Sequence, residues 1–256
     1  LCGIGMIMVD APRIFLLTSY VGGEAAHGVE ARNDQNGRNI PEPTTSFPQP
    51  IGMSASWDTE IIKKAGEVTG TEARVLWHRH PAGGLSRWAP TVDLERDPRW
   101  GRTEECFGED PYLCSVFAKS AVEATQSEGV AMVAKHFCAQ GETTGGVNAS
   151  AARIGERELR EIHLPPAKAC CKAGVNGIMA AYNEIDGVYC HMNHKLLTQI
   201  LRDEFGFDGI VMADGMALNR LQEVIGDRAQ AAALALSAGV DRKSTRLNSS
   251  HTRGSR

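Results

Sequence analysis

The sequence lacks the short motifs that usually mark a nucleotide cofactor or a zinc site. No GxGxxG follows a predicted strand and no P-loop is present, so dinucleotide or phosphate-loop chemistry has no support. None of the seven cysteines belongs to a CxxC pair, which argues against the common zinc patterns. No apolar run is long enough to span a bilayer. We therefore expect no metal, no organic cofactor and no membrane-spanning segment.

Basic residues are scarce outside the last fifteen positions. The whole sequence has a formal net charge of −4, but residues 242–256 (RKSTRLNSSHTRGSR) hold five basic and no acidic side chains. Residues 1–241 therefore carry 22 basic against 31 acidic side chains, a net charge of −9. An acidic body argues against nucleic acid or an anionic membrane as a partner. The 242–256 tail has no apolar pattern and resembles a translated adapter sequence, so we expect it to be non-native or disordered.

Short apolar runs alternate with longer segments of helical periodicity. Strands are predicted at 86–95, 129–137, 175–183 and 208–214, and helices at 58–76, 111–126, 155–174, 194–206 and 220–239. Repeated strand–helix units of this size predict parallel β/α connections. We favour a (β/α)8 TIM-barrel-like domain over a doubly wound sheet. We expect this domain to occupy residues 1–241 and to be incomplete at both ends.

Polar side chains end four successive predicted strands. Arg102 lies in the loop after the first, Lys135 and His136 end the second, Tyr182 ends the third, and Asp214 ends the fourth. In a β/α barrel these ends form the working surface. Such groups suit recognition of the hydroxyls of a sugar. A carboxylate kept ionised by nearby cations suits attack at an anomeric carbon.

Each of these residues also has a purely structural interpretation. Arg102 could pair with Glu105 to hold its loop, Tyr182 could be a core aromatic, and Asp214 could cap the next turn. Two other functions remain open at this point. Lys135 could form the Schiff base of an aldolase, or the barrel could bind carbohydrate without cleaving it.

Seven stretches of the chain resemble, in family order, the N-terminal barrel of glycoside hydrolase family 3, the β-glucosidase and β-xylosidase group. They are GEAAHGVEAR (23–32), SFPQPIGMSASWD (46–58), WAPTVDLERDPRWGRTEECFGEDP (88–111), AKHF (134–137), GERELREIHLPP (155–166), IMAAYNEIDG (178–187) and GFDGIVMADG (206–215). The resemblance implies a retaining exo-β-glycosidase that acts through a covalent glycosyl-enzyme intermediate. Its substrate would be a β-linked oligosaccharide or an aryl or alkyl glycoside.

The same resemblance implies roles for particular residues. Asp214 would be the nucleophile, and Tyr182 would lie close to it and to the sugar. Four residues would bind sugar hydroxyls: Glu24, Arg102, Lys135 and His136. Two positions depart from the family pattern, since Val147 stands where some relatives carry arginine and Gly215 where tryptophan often follows the nucleophile.

The proton donor of the reaction has no candidate in the family pattern. Most glucosidases and xylosidases of the family take their acid/base glutamate from a second, α/β sandwich domain, which is missing here. The branch that cleaves N-acetylglucosaminides uses an Asp-His pair in the loop after KHF, but that loop has no histidine in this sequence. Glu142 is its only acid, and we expect it to be solvated. The cysteines fall in stretches predicted to be buried, which favours reduced thiols and the cytoplasm.

Overall fold

A computed structural model describes residues 22–29, 43–80 and 84–241. Over these ranges the centre is a parallel sheet of five strands, β1 Gly22–Glu24, β2 Ser86–Trp88, β3 Ala131–Phe137, β4 Gly177–Ala180 and β7 Ile210–Ala213. They lie side by side in the order β1-β2-β3-β4-β7. Two further strands, β5 Glu184–Ile185 and β6 Val188–Tyr189, form a separate antiparallel hairpin. The tail from residue 242 and Cys2 lie outside the described residues.

Helices connect the parallel strands. The α-helices are α1 Pro50–Ser54, α2 Thr59–Arg79, α3 Pro111–Ser127, α4 Glu156–Glu158, α5 Pro165–Lys172, α6 Ala217–Ile225 and α7 Arg228–Ala238. Leu159–His163 and Lys195–Glu204 are π-helical, and four 3₁₀ turns cover Thr103–Glu105, Gln140–Glu142, Thr144–Gly146 and Cys190–Met192. Sequential parallel strands joined by helices confirm the prediction of a TIM-barrel-like α/β domain.

The predicted helix starts are confirmed by side-chain caps. Asp58 accepts a hydrogen bond from the Glu60 amide at 2.9 Å, and Asp110 accepts one from the Leu113 amide at 2.7 Å. Pro111 occupies the first helical turn of α3, where its missing N–H is not needed. The helix beginnings are therefore encoded locally in the sequence.

Several predicted elements are shorter than expected or are divided; the strand predicted at 175–183, for example, covers Gly177–Ala180. The strand predicted at 86–95 keeps continuous ladder pairing over Ser86–Trp88. Pro90, which has no N–H for the ladder, interrupts it before a single bridge between Thr91 and Lys135. The helix predicted at 220–239 is divided at Gly226, which adopts a left-handed conformation (φ 83°) as the C-cap of α6. The helix predicted at 155–174 breaks before its double proline, as expected.

Strand β3 lies at the centre of the core. All seven of its residues are buried, and helices α2 and α3 pack against each other on one side of the sheet. Gly66 and Gly70 permit this close approach, because a Cβ at these positions would stand 2.9 Å from Ala124 Cβ and 2.6 Å from Glu128 Cβ. The rigid packing holds the carboxyl end of β3, and with it Lys135 and His136, in a fixed place.

The cysteines that the structure describes are all free thiols. Five are buried and Cys171 is partly buried, and burial raises the pKa of each thiol. Thiols of this kind are unreactive as nucleophiles. No helix in the described ranges is both long and apolar enough to cross a membrane.

Candidate active site

The carboxyl ends of the parallel strands bring the sequence-predicted site residues to one rim. Glu24 is the last residue of β1, Lys135 and His136 lie near the end of β3, and Asp214 directly follows β7. Arg102 comes from the loop after β2 and Tyr182 from the loop after β4. Contacts among these side chains and their neighbours divide them into two groups, one around Lys135 and one around Asp214.

Lys135 is the centre of a buried chain of charges. Its ammonium group donates a hydrogen bond to Glu24 Oε2 and lies 3.2 Å from Glu105 Oε2. Arg102 donates two hydrogen bonds to the same Glu105 carboxylate, at 2.7 and 3.0 Å. Only 1% of the Lys135 side chain is exposed, so its charge depends on these two carboxylates. The arrangement fixes four charged groups in defined directions.

Electrostatics keep Glu105 and Arg102 ionised. Burial raises the pKa of Glu105, but the hydrogen bond from Arg102 and the charge of Lys135 outweigh it and bring the pKa to about 2. Burial lowers the pKa of Arg102, yet pairing with Glu105 raises it above its usual range. Glu105 is therefore a permanent acceptor and cannot serve as the proton donor of a reaction at neutral pH.

His136 lies between two carboxylates. On one side, Asp93 Oδ2 lies 2.6 Å from His136 Nδ1 and accepts the His136 backbone N–H at 3.0 Å. On the other side, His136 Nε2 lies 3.5 Å from Asp214 Oδ2. Asp93 Oδ1 accepts the backbone N–H of Gln140 at 3.1 Å. These contacts connect the loop after β2, the end of β3 and the loop after β3.

The two oxygens of the Asp214 carboxylate have different surroundings. Oδ1 accepts the Gly215 N–H at 2.5 Å, whereas Oδ2 is buried and accepts no hydrogen bond from the described residues. The Asp214 backbone N–H donates to His191 Nε2 at 3.2 Å. Burial lowers the pKa of His191 to about 4, so its imidazole is neutral and Nε2 can accept this bond. The described residues thus hold the carboxylate through one oxygen only.

Tyr182 contacts the residue next to the nucleophile candidate. Its hydroxyl donates to the Gly215 carbonyl, and its backbone N–H donates to Gln140 Oε1 at 3.1 Å. The Arg220 guanidinium stacks on the ring at 5.0 Å. Burial and the negative charge of Asp214 raise the pKa of the Tyr182 phenol, which therefore stays neutral. Its role is to hold the chain that follows Asp214.

Asp93 and His191 belong to the site although they were not predicted as site residues. For Asp93 the sequence held a signal, because a carboxylate stands inside the apolar run TVDL. The structure shows that its side chain is fully buried, where a charge needs partners. His191 comes from the 3₁₀ turn after β6, and nothing in its neighbouring residues indicates a contact with Asp214. Glu105 was foreseen only as a partner of Arg102, and the structure adds its contact with Lys135.

Glu142 is paired rather than solvated, which corrects the expectation from sequence. Its Oε2 lies 3.1 Å from His163 Nε2 and 3.5 Å from Arg96 Nε, and these contacts, that with His163 above all, lower the pKa of its carboxyl group. Glu158 lies close enough to complete a cluster of possible metal ligands. Because His163 and Arg96 already accompany Glu142, we interpret the cluster as a set of contacts that fastens the loop.

A polar cleft opens beside the charged chain. Its volume is about 320 Å³, within the range of small-molecule pockets of roughly 300–1,000 Å³. The described residues that line it are Glu24, Ala26, His27, Gln49, Arg102, Glu104 and Glu105. Charged hydrogen-bonding groups that converge on such a cleft suit a ligand rich in hydroxyls.

Comparison with known proteins gives one consistent answer. The family model described as "Glycosyl hydrolase family 3 N terminal domain" matches residues 29–246. A β-xylosidase of Formosa agariphila is 39% identical over 232 residues, covering 86% of this chain and 31% of that protein. A β-glucosidase structure from Erythrobacter marinus superposes with a TM-score of 0.76 at 34% identity, covering 88% of this chain and 29% of that one.

A mutant β-glucosidase from Listeria innocua in complex with laminaribiose superposes with a TM-score of 0.74 at 31% identity, covering 86% of this chain and 29% of that one. The chain therefore spans less than a third of each of these three proteins. The match to the family model extends over most of the chain, and the similar structures share its fold. The chain belongs to glycosyl hydrolase family 3 and corresponds to the N-terminal domain of that family.

Proposed function

We propose that this chain carries the nucleophile and the sugar-binding residues of a retaining exo-β-glycosidase, a β-glucosidase or β-xylosidase. It would act on terminal non-reducing sugars of β-linked oligosaccharides or of aryl or alkyl glycosides. The observation that carries the proposal is the Asp214 carboxylate, anchored through Oδ1 with Oδ2 left free of hydrogen bonds from the described residues. The family membership supports it.

The reaction would proceed in two steps. Asp214 Oδ2 attacks the anomeric carbon, the bond from that carbon to the leaving oxygen breaks, and a covalent glycosyl-enzyme forms. Water then attacks the same carbon from the opposite face and frees Asp214, with net retention of configuration. Arg102, Lys135, His136 and Glu24 would bind the sugar hydroxyls. Tyr182 would hold the segment beside the nucleophile.

The acid/base residue, in this proposal, comes from outside the chain. A general acid needs a raised pKa, and Glu105 and Glu142, which lie in the loops after β2 and β3, have lowered ones. Burial raises the pKa of Glu95 to about 6, but its carboxyl group takes part in none of the contacts described around Asp214. We propose that residues 1–241 belong to the barrel domain, that residues 242–256 do not, and that an α/β sandwich domain of a longer protein supplies the donor. The chain alone would then cleave poorly any glycoside whose leaving group needs protonation.

The surroundings of Lys135 disfavour the aldolase alternative. Schiff-base formation requires a neutral amine with a free lone pair. The Lys135 nitrogen is instead paired with two carboxylates, Glu24 and Glu105, which stabilise the charged ammonium form. A structural and hydroxyl-binding role is therefore better supported than a nucleophilic one.

The test uses leaving groups that need no proton donor. The chain is incubated with dinitrophenyl 2-deoxy-2-fluoro-β-glucoside and with the corresponding xyloside, and intact mass and peptide mapping follow. We expect one covalent adduct, on Asp214, with the preferred sugar. Asp214→Asn should give none, and Asp208→Asn, a matched change in the same segment, should still be labelled. If protein shown to be folded by circular dichroism gives no adduct but still binds the sugar, the carbohydrate-binding alternative replaces the proposal.

A further inference from the structure

We propose that Asp93 is a positioning residue that keeps the imidazole proton of His136 on Nδ1. In this way it denies a hydrogen-bond donor to Asp214 Oδ2, the oxygen that attacks. The inference rests on the proposed function, because it assigns a role to the surroundings of that nucleophile.

Asp93 acts as an acceptor toward every group that it contacts. Its side chain is fully buried, and it accepts the backbone N–H groups of His136 and Gln140 at 3.0 and 3.1 Å. Two N–H donors stabilise the ionised form of a carboxyl group. Both carboxylate oxygens already accept backbone N–H groups, so Asp93 faces His136 Nδ1 as an acceptor and the 2.6 Å contact places the proton on Nδ1.

With the proton on Nδ1, the other nitrogen of a neutral ring faces Asp214 with a lone pair. A neutral imidazole carries one proton, and a hydrogen bond to one nitrogen determines which form is present. The distance from Nε2 to Asp214 Oδ2 is 3.5 Å, longer than the roughly 2.7–2.9 Å of a charge-assisted hydrogen bond. Nε2 is then able to accept a hydrogen bond from a sugar hydroxyl.

This arrangement matters for the rate of attack by Asp214. A donor on Oδ2 would stabilise the carboxylate most before the reaction, when its charge is full, and less in the transition state, when the charge is being lost. Interactions that are stronger in the ground state slow the chemical step. Gly215 N–H occupies Oδ1 only, so Oδ2 keeps its full nucleophilicity.

The first experiment measures the protonation of His136 directly. Nitrogen-15 NMR of the histidine-labelled chain at neutral pH distinguishes Nδ1–H from Nε2–H, and His136→Gln assigns the resonance. We expect a proton on Nδ1, hydrogen-bonded and shifted downfield, and a bare Nε2. A proton on Nε2, in either the neutral or the doubly protonated ring, overturns the proposal. This readout requires neither activity nor a folded Asp93 variant.

The second experiment measures the rate of covalent labelling at Asp214 in Asp93→Asn. An amide oxygen is a weaker acceptor than a carboxylate, so the Nε2–H form becomes populated and labelling should slow by about tenfold at saturating reagent. Asn148→Ala is the matched control, because Asn148 accepts from Gln140 and Trp100 in the same loop without touching the His136 ring. It should leave the His136 resonance in place.

The outcomes separate the two proposals. If wild-type protein is never labelled, the glycosidase proposal fails, and the NMR result still decides the form of His136. If wild-type protein is labelled while Asp93→Asn reacts at the same saturated rate with an unchanged His136 resonance, the glycosidase proposal stands and the role of Asp93 is wrong. A slower rate in Asp93→Asn with a proton moved to Nε2 supports both.

Discussion

The substitution Glu105→Gln tests the row of paired charged side chains formed by Glu24, Lys135, Glu105 and Arg102. Glu105 is the one carboxylate that contacts both Arg102 and Lys135. Glutamine keeps its size and removes its charge, so Arg102 loses a charge-assisted partner and Lys135 retains Glu24 alone. We expect the variant to be less stable than wild type at neutral pH.

The magnitude follows from the pKa of Glu105. At about 1.4 kcal/mol per pH unit, the fall from an ordinary value of 4.5 to about 2 corresponds to about 3 kcal/mol of folding stability. Because the folded-state pKa is lowered, this contribution is complete above pH 4.5 and disappears as the pH falls toward about 2. The stability difference between wild type and Glu105→Gln should therefore be constant near neutrality and shrink in acid.

Urea unfolding followed by circular dichroism, from neutral pH down into the acid range, measures this difference. Glu104→Gln is the control, since it removes the same charge from the neighbouring, exposed position, and we expect it to change stability by less than about 0.5 kcal/mol. The reasoning is refuted if Glu105→Gln is as stable as Glu104→Gln at neutral pH. It is also refuted if the loss of stability stays constant at acidic pH.

Two further predictions concern the loops around the site. Gly141→Ala would place a Cβ 2.1 Å from the backbone oxygen of Leu94, so we expect it to lower the free energy of unfolding by about 3 kcal/mol or more in urea titration. Gly155→Ala is the control, because the space around Gly155 is open and the change should be nearly neutral. Equal effects of the two substitutions would contradict the argument. Tyr182→Phe removes the hydrogen bond to the Gly215 carbonyl, so we expect a loss of about 1 kcal/mol in the same titration and slower covalent labelling of Asp214. An unchanged labelling rate would show that Tyr182 does not hold the segment beside the nucleophile.

Short sequence signals correctly predicted the helix ends that are set by neighbouring residues. Helix starts at Asp58 and Asp110 follow from capping side chains, and the break before Pro165 follows from the missing N–H of proline. Strand lengths were less predictable: the run from 86 to 95 has strand composition throughout, but only Ser86 and Arg87 have a ladder partner on both sides. How much of a strand pairs depends on the neighbouring strands of the sheet and not only on the strand's own sequence.

The six predicted site residues come to one rim because parallel strands end at the same edge of the sheet. Their pairings were not predictable in this way. Sequence reasoning placed Glu142 in solvent, because a single acid in a Gly-rich loop has no visible partner. The partner is His163, twenty-one positions away, and it is brought there by the π-helical segment Leu159–His163.

The sequence by itself determined the alternation of strands and helices, the family, and the kinds of side chain that end each strand. These depend on periodicity and on short motifs, which survive without knowledge of distant contacts. Only the tertiary structure decided that Asp93 contacts His136, that Glu105 joins Arg102 to Lys135, and that Asp214 is held through Oδ1 alone. Such contacts join residues from different β/α units, and their distances are set by the packing of the whole sheet.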